Sequence, residues 1–120
     1  MTTPNLPSVE YLKECFDYNP ATGELTWKER PRYHFKSESS MKSVNNRNSG
    51  HTAGSYQLQS RLDYANIYGA VGIMGRKYYL HNVVAALILG HWPECGTRVV
   101  HRNRNTKDNR ADNLTIIHSQ

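Results

Sequence analysis

The chain has 120 residues, of which 38% are apolar, and this is enough for one domain with one hydrophobic core. Fifteen Lys and Arg against ten Asp and Glu give a formal net charge of +5, which favours a polyanionic partner, nucleic acid ahead of an anionic membrane surface. No apolar run approaches the roughly 20 residues of a membrane-spanning helix, and the first residues lack the pattern of a secretory signal.

The amino-terminal part predicts a helix followed by a strand. Ser8 is a suitable N-cap, and apolar residues recur at helical spacing from there to about Phe16. The segment 19–23, NPATG, ends the helix and turns the chain. Polar and apolar residues alternate over 24–28, which predicts a half-buried strand. Trp27 is then a core anchor in preference to a base-stacking platform.

Residues 29–55 are polar, contain few aliphatic side chains and predict a loop. Its cations are interleaved with three rings in the segment 33–35, YHF. Such a loop can follow a nucleic-acid backbone as an arm, and a mobile solvated loop is an equal alternative. The cations are Arg30, Arg32, Lys36, Lys42 and Arg47.

The centre of the chain predicts a hairpin and a buried helix. Residues 71–73 and 78–80 flank a glycine-containing turn, as in a β-hairpin. Residues 56–68 show no clean period, and their structure is left open. Residues 81–89, HNVVAALIL, are apolar around the whole circumference, which predicts a buried helix that Gly90 ends.

Residues 99–117, VVHRNRNTKDNRADNLTII, predict two strands joined by a long polar loop. Asn and Asp side chains close local turns, so the loop can hold a fixed shape without a core of its own. His101 stands where the first strand ends, among several cations. This combination suits chemistry on a phosphate, with a solvated basic surface loop as the alternative. The candidates for nucleic-acid contact are Arg98, Arg102, Arg104, Lys107 and Arg110.

The order of the pieces TGELTWK, NNRNSGHTAG, VGIMGRKYYLHNVV and VVHRN…DNRADNL resembles that of the small HNH endonucleases common in phage genomes. The resemblance runs from about Tyr18 to Leu114. Its most specific part is the pattern H-x-N…D-N-R-x-x-N-L, which begins at His101.

The resemblance implies a small α+β fold with short antiparallel strands and hairpins, a buried helix and a carboxyl-terminal HNH-like strand-loop-strand of the ββα-metal type. We expect one domain over residues 1–120. Residues 1–55 would contribute the first helix, a strand and the basic polar loop. Residues 56–120 would contribute the hairpin, the buried helix and the HNH-like motif.

The resemblance also implies metal-dependent hydrolysis of phosphodiester bonds in DNA. By position, His101 is the general base on the attacking water, a role that imidazole suits near neutral pH. Asn109 holds the loop and orients the histidine, and Asn113 pins the loop to the second strand. The implied cofactor is one divalent ion, Mg²⁺ first and Mn²⁺ or Zn²⁺ next. The candidate ligands in this chain are His118 and Asp108.

Two departures from the family pattern open an alternative function. Many members place an aspartate ligand immediately before the histidine, where this chain has Val100. Members also continue into a helix that this chain, which stops at Gln120, is expected to lack. The alternative is a catalytically degenerate HNH-like protein that binds DNA or a host protein as a phage regulator or inhibitor, with no metal ion.

Double-stranded DNA is the expected partner, although no feature of the sequence separates DNA from RNA. A homodimer is an open alternative to a monomer, because two sites cut two strands more readily than one. Cys15 and Cys95 are far apart and form no CxxC pair. We expect them to be reduced thiols, in a protein of the cytoplasm, which is the host cytoplasm if a phage encodes the chain.

Overall fold

The computed structural model describes residues 6–57 and 68–118, which form a small α+β domain with three α-helices in that part of the chain. The predicted fold class is confirmed. The helices are α1 (Val9–Cys15), α2 (Glu38–Asn48) and α3 (Leu80–Leu89). The strands are β1 (Phe16–Tyr18), β2 (Leu25–Trp27), β3 (Ser55–Gln57), β4 (Tyr68–Ile73), β5 (Arg76–Tyr79), β6 (Thr97–His101) and β7 (Leu114–His118).

The described strands pair in three antiparallel groups, β1–β2, β3–β4–β5 and β6–β7. The predicted hairpin is confirmed, since β4 and β5 pair across the turn at Met74 and Gly75. Most of the segment 56–68 whose structure the sequence left open lies outside the described residues, which resume at Tyr68. Within the described ranges, no helix has the length and apolar character needed to cross a bilayer.

The first helix begins and ends close to its predicted bounds. The Ser8 side chain accepts a hydrogen bond from the backbone N–H of Tyr11 at 3.1 Å, which is the expected N-cap. The backbone of Phe16 is extended, so the chain passes directly into β1. This strand pairs with β2 and was not predicted. Trp27 packs on Phe16 with 4.6 Å between ring centroids, which confirms it as a core anchor.

The predicted loop over residues 29–55 is wrong, because α2 occupies its centre. The Ser37 side chain caps this helix by accepting a hydrogen bond from the Ser40 N–H at 3.1 Å. The Asn45 side chain then ties the helix to Arg30: its Oδ1 accepts from the backbone N–H at 2.9 Å and its Nδ2 donates to the carbonyl at 3.0 Å. These tertiary bonds stabilise a helix that has few apolar side chains.

Arg30 is not available as part of a nucleic-acid arm. Its guanidinium donates to the Tyr11 hydroxyl at 2.7 Å and to Nδ1 of His34 at 3.1 Å, and it lies 4.8 Å from the centroid of the Phe35 ring. A guanidinium held by hydrogen bonds and aromatic faces acts as an internal tie between α1 and the segment after β2.

The buried helix is confirmed as α3, and Gly90 ends it in the left-handed conformation at φ 82°. Its first two turns form the centre of the core, with Val83 and Val84 fully buried. Burial of the whole circumference is wrong for the last turn, where Ile88 and Leu89 are exposed. This turn borders a shallow apolar groove beside Ile116 instead of the core.

Candidate functional site

The two predicted strands at the carboxyl end are present as β6 and β7, and they carry the candidate site at one end. Their register runs from Thr97 opposite His118 to His101 opposite Leu114. His101 is therefore the last residue of its strand, at the mouth of the loop formed by residues 102–113. We call this segment the 102–113 loop.

Asn113 fixes the shape of the 102–113 loop from within. It is 5% exposed, and its Oδ1 accepts from the backbone N–H of Asn103 at 3.0 Å. Its Nδ2 donates to the Asn103 Oδ1 at 3.0 Å and to the backbone carbonyl of Asp108 at 2.8 Å. Its own carbonyl accepts from the N–H of Arg102 at 2.7 Å. One buried amide thus joins the start and the end of the loop to β7.

Asn109 determines the orientation and tautomer of His101. The Oδ1 of this buried asparagine lies 2.9 Å from Nε2 of His101. Because an amide oxygen only accepts hydrogen bonds, Nε2 is the donor in this contact, and in the neutral ring Nδ1 has the lone pair. A histidine held in this tautomer can accept a proton at Nδ1.

A second histidine, His81 at the start of α3, lies behind the first. Its ring meets that of His101 edge to face, with 5.2 Å between centroids, and stacks on Tyr79 at 5.3 Å. Burial, and to a smaller extent the charge of His101, lowers the pKa of His81 to about 4. His81 is therefore neutral near pH 7 and packs behind His101.

His101 opens into a cleft of about 640 Å³ between β6 and the start of α3. Arg98 and Arg104 line it together with His81 and His101, and no Asp or Glu is among its described lining residues. The formal charge of the cleft wall is therefore positive, which suits an anion.

The turn between β1 and β2 supports the loop from the opposite end of the chain. The Tyr18 hydroxyl donates to the backbone carbonyl of Asn109 at 2.6 Å, and the N–H of Ala111 donates to the carbonyl of Pro20 at 3.1 Å. Gly23, at φ 81°, lies so close that a Cβ there would sit 2.5 Å from the backbone N of Arg110. The sequence interpretation missed these supports, and the only signal available was the turn sequence NPATG itself.

Comparison with known families matches residues 78–120 to the model described as HNH endonuclease. The matched segment contains His81, His101, Asn109 and Asn113, the residues that build the site. Residues 78–120 are therefore similar to the HNH endonuclease family. The resemblance inferred from the sequence is therefore confirmed at the level of the family.

A solved structure has the same fold over most of this chain. It is that of the HNH homing endonuclease I-HmuI, described as binding and cleaving DNA. The match has 17% identity and a TM-score of 0.52, and it covers 93% of this chain and 51% of that one. This chain therefore spans about half the length of the I-HmuI chain. Comparison of this chain with curated proteins found no match.

The five basic candidates for nucleic-acid contact lie in different places in the structure. Arg98 and Arg104 line the cleft, whereas Lys107 borders a smaller cleft beside the turn between β1 and β2. Arg102 is exposed on the loop outside the cleft. Arg110 forms a two-point ion pair with Asp108, each N–O distance being 2.8 Å, so its charge is locally balanced.

The two candidate metal ligands do not meet at His101. His101 lies opposite Leu114 in the β6–β7 pair, and His118 is four residues further along β7. At the usual rise per residue of a strand, this separation is roughly 13 Å. The carboxylate of Asp108 accepts from Arg110 and from the Asn103 Nδ2 at 2.9 Å, and these donors hold its pKa well below the usual range.

The residues around His101 do not fit a divalent ion as a complete set. A hard cation such as Mg²⁺ needs several oxygen ligands, commonly including carboxylates. Among the described residues, no three His, Cys, Asp or Glu side chains come together in a way that could hold a metal ion. The side chain immediately before His101 is the aliphatic Val100.

Proposed function

We propose that this chain is an HNH-type endonuclease that hydrolyses phosphodiester bonds in DNA, with His101 as the general base. The observation that carries the proposal is the contact at 2.9 Å between Asn109 Oδ1 and His101 Nε2, at the edge of a cleft lined by arginines. This contact leaves Nδ1 of His101 as the proton acceptor, and the cleft provides cations for the phosphate.

In this proposal, Nδ1 of His101 takes a proton from a water molecule as the water oxygen attacks the phosphorus. Negative charge that develops on the phosphate oxygens meets the positive side chains of Arg98 and Arg104. The leaving oxygen takes its proton from solvent. Asn109 acts as a positioning residue, since it touches the base and not the substrate.

DNA is the proposed substrate because I-HmuI, which shares the fold, binds and cleaves it, and because this chain carries a formal net charge of +5. Mg²⁺, with Mn²⁺ and Zn²⁺ as alternatives, is proposed as the supporting ion on the family resemblance alone. Both cysteines of the chain are free thiols, and on that basis we propose a reducing compartment, the cytoplasm.

The test is conversion of supercoiled plasmid to nicked or linear forms in Mg²⁺, Mn²⁺ or Zn²⁺ and in EDTA. We expect His101→Ala to reduce the cleavage rate by about 10²-fold or more, the usual contribution of a general base. His91→Ala is the matched control, because His91 is exposed on the turn after α3, and its rate should equal that of the wild type. Equal rates for wild type and His101→Ala would contradict the proposal.

The alternative is a DNA-binding protein without nuclease activity, and Val100 is the observation that favours it. It predicts no cleavage in any of the ions, together with DNA binding that falls steeply with salt and is unchanged by His101→Ala. A host protein as partner belongs to this alternative, whereas a homodimer belongs to the nuclease proposal, because two sites cut two strands more readily than one. Sedimentation of the purified chain, alone and with DNA, measures whether it forms the dimer.

A further inference from the structure

We propose that the outer edge of β7 and the apolar groove beside it pair with a second copy of this chain. The two β7 strands run antiparallel, with Ile116 opposite its own counterpart, and form the centre of a four-stranded sheet with a two-fold axis. The pairing itself goes beyond the proposed function, and only its consequence for cleavage rests on that function.

The hydrogen-bonding pattern of β6–β7 determines which backbone groups of β7 point outward. The N–H of Arg102 donates to the carbonyl of Asn113 at 2.7 Å, and these two residues continue the β6–β7 register by one pair. Hydrogen-bonded and non-hydrogen-bonded pairs alternate along an antiparallel ladder, so Thr115 and Ile117 are the residues that bond β6. The β7 residues whose N–H and C=O groups point away from β6 are Leu114, Ile116 and His118.

Local turns close both ends of the outer edge of β6. The N–H of Thr97 donates to the carbonyl of Glu94 at 3.0 Å, and the carbonyl of His101 accepts from the N–H of Arg104 at 3.0 Å. These backbone groups are the outward ones of β6, because Thr97 and His101 lie in non-hydrogen-bonded pairs of the ladder. The edge of β6 is therefore a poor template for a further strand.

The outer edge of β7 is open by comparison. The N–H of Leu114 donates to the carbonyl of Ala111, but in the described ranges no residue bonds the outward groups of Ile116 and His118. An exposed strand edge of this kind pairs readily with another strand. With Ile116 at the two-fold axis, four backbone hydrogen bonds can form between the copies, two at Ile116 and two between His118 and the carbonyl of Leu114.

Apolar side chains lie on one face of this edge. Ile116 is opposite the buried Val99, and with the last turn of α3 it borders a groove of about 240 Å³. Ile88, Leu89 and Ile116 are 46%, 40% and 37% exposed. In the paired strands the two Ile116 Cα atoms lie about 5.5 Å apart, so the apolar side chains of both copies leave water together.

The charge pattern selects a second copy as the occupant. Neither β7 nor the described lining of the groove contains Asp, Glu, Lys or Arg. In a two-fold pair a residue at the axis meets its own counterpart, and like charges directly opposite each other on paired strands are destabilising. Two chains that each carry a formal net charge of +5 can meet at this neutral strip, which has no charge to attract an acidic or basic partner.

The pairing brings the two candidate sites to one face of the sheet. His101 lies two residue pairs from Ile116 along the ladder, on the strand next to β7. At the usual strand rise and spacing, the two His101 Cα atoms are about 20 Å apart. The cleft is lined by β6 and not by β7, so it stays open. If the proposed function holds, two such sites can reach both strands of one duplex, whose major groove is about 12 Å wide.

Sedimentation velocity of the full chain, from about 1 µM to about 1 mM, spans the range of weak homodimers. We expect the weight-average mass to rise from the 13.8 kDa of one chain towards twice that value. Ile116→Lys places like charges at the axis and should stay monomeric over the same range. Met74→Lys is the matched control, because it adds the same charge at a 67% exposed side chain in the turn between β4 and β5, and it should dimerise as the wild type does.

Disulfide cross-linking tests the register, and it does not depend on how Ile116→Lys folds. The background is Cys95→Ser, which removes the exposed native thiol, and the oxidant is oxidised glutathione, which is reduced as the two thiols join. Ile116→Cys should give a covalent dimer, because a Cα separation of about 5.5 Å suits a disulfide. Ile117→Cys should not, because its Cα and that of its counterpart are about 8 Å apart.

The outcomes separate this inference from the nuclease proposal. A chain that stays monomeric at every concentration, whatever else it binds, overturns the inference, and so does an Ile116→Lys variant that dimerises like the wild type. Equal cross-linking of Ile116→Cys and Ile117→Cys overturns the register. Cleavage by a monomeric chain overturns the inference and supports the nuclease proposal, whereas a dimer of this register without cleavage supports the inference and overturns that proposal. If both hold, we expect the wild type to linearise plasmid and Ile116→Lys to accumulate the nicked form.

Discussion

The stability of the domain depends on pH through His81, because the folded domain buries this side chain in its neutral form. Its pKa is about 4 in the folded chain against an ordinary value of 6.5, and burial is the main cause. Between these two values the unfolded chain binds a proton that the folded chain does not. The free energy of unfolding therefore falls as the pH falls from 6.5 towards 4, and the full contribution is present above 6.5.

Urea unfolding at pH 7 and pH 5 measures this effect. For one proton and the shift of His81, we expect a loss of about 2 kcal/mol between the two pH values. His81→Gln should lower the stability at pH 7 but show a correspondingly smaller loss on going to pH 5. Identical pH dependence in the two proteins would show that His81 does not titrate in this way.

At the scale of elements, the sequence predicted those parts whose aliphatic pattern is local. The hairpin of β4 and β5, the helix α3 and the pair β6–β7 all have this property. The helix α2 has only Met41 and Val44 as partly buried apolar side chains. It is fixed by Asn45 and the backbone of Arg30, fifteen residues apart. A hydrogen bond between distant segments leaves no periodic signal, so the helix resembled a polar loop.

Asn45→Ala tests this account of α2. The substitution removes both hydrogen bonds to Arg30, so the backbone N–H and carbonyl of Arg30 lose these partners. We expect the free energy of unfolding to fall by about 2–3 kcal/mol. Asn46→Ala is the matched control, since Asn46 is exposed on the same helix and should change stability by less than about 0.5 kcal/mol. Urea unfolding of the two variants gives both values, and equal stabilities would contradict the role of Asn45.

The candidate site likewise has a part that the sequence predicted and a part that it did not. His101, Asn109 and Asn113 could be taken from the HNH resemblance, because they lie in one short segment with a recognisable spacing. The separation of the cations could not, because Arg98, Arg102 and Arg104 look alike in the sequence. Only the fold shows that Arg110 is paired with Asp108 and that His118 lies at the far end of the ladder. Side-chain direction and pairing are tertiary properties.

At the scale of the whole molecule, the β1–β2 hairpin and the 102–113 loop form one unit. Tyr18 donates to the carbonyl of Asn109, whose side chain holds His101. Burial raises the pKa of Tyr18 to about 12, so the hydroxyl keeps its proton as a donor at ordinary pH. The β1–β2 hairpin therefore reaches His101 through only one intermediate residue, Asn109.

Tyr18→Phe should lower stability by about 1 kcal/mol through the lost hydrogen bond and should also slow DNA cleavage, since the backbone of Asn109 is released. Tyr11→Phe is the control, because the Tyr11 hydroxyl bonds Arg30 at 2.7 Å, away from the loop. We expect it to lose similar stability with an unchanged cleavage rate. Urea unfolding and plasmid cleavage of both variants provide the comparison, and parallel loss of rate in both would mean that stability alone sets activity.

The contact between Tyr18 and Asn109 also bears on how the site forms during synthesis. The two residues are 91 positions apart, so the loop gains this support only after residues 18–109 have all been made. Contacts of such long range form late, because a long segment must first be closed. Residues 78–120, although they carry the family match, lack Tyr18, Pro20 and Gly23. A nascent or clipped chain would thus hold an unsupported His101, and we expect any activity to appear only with the finished fold.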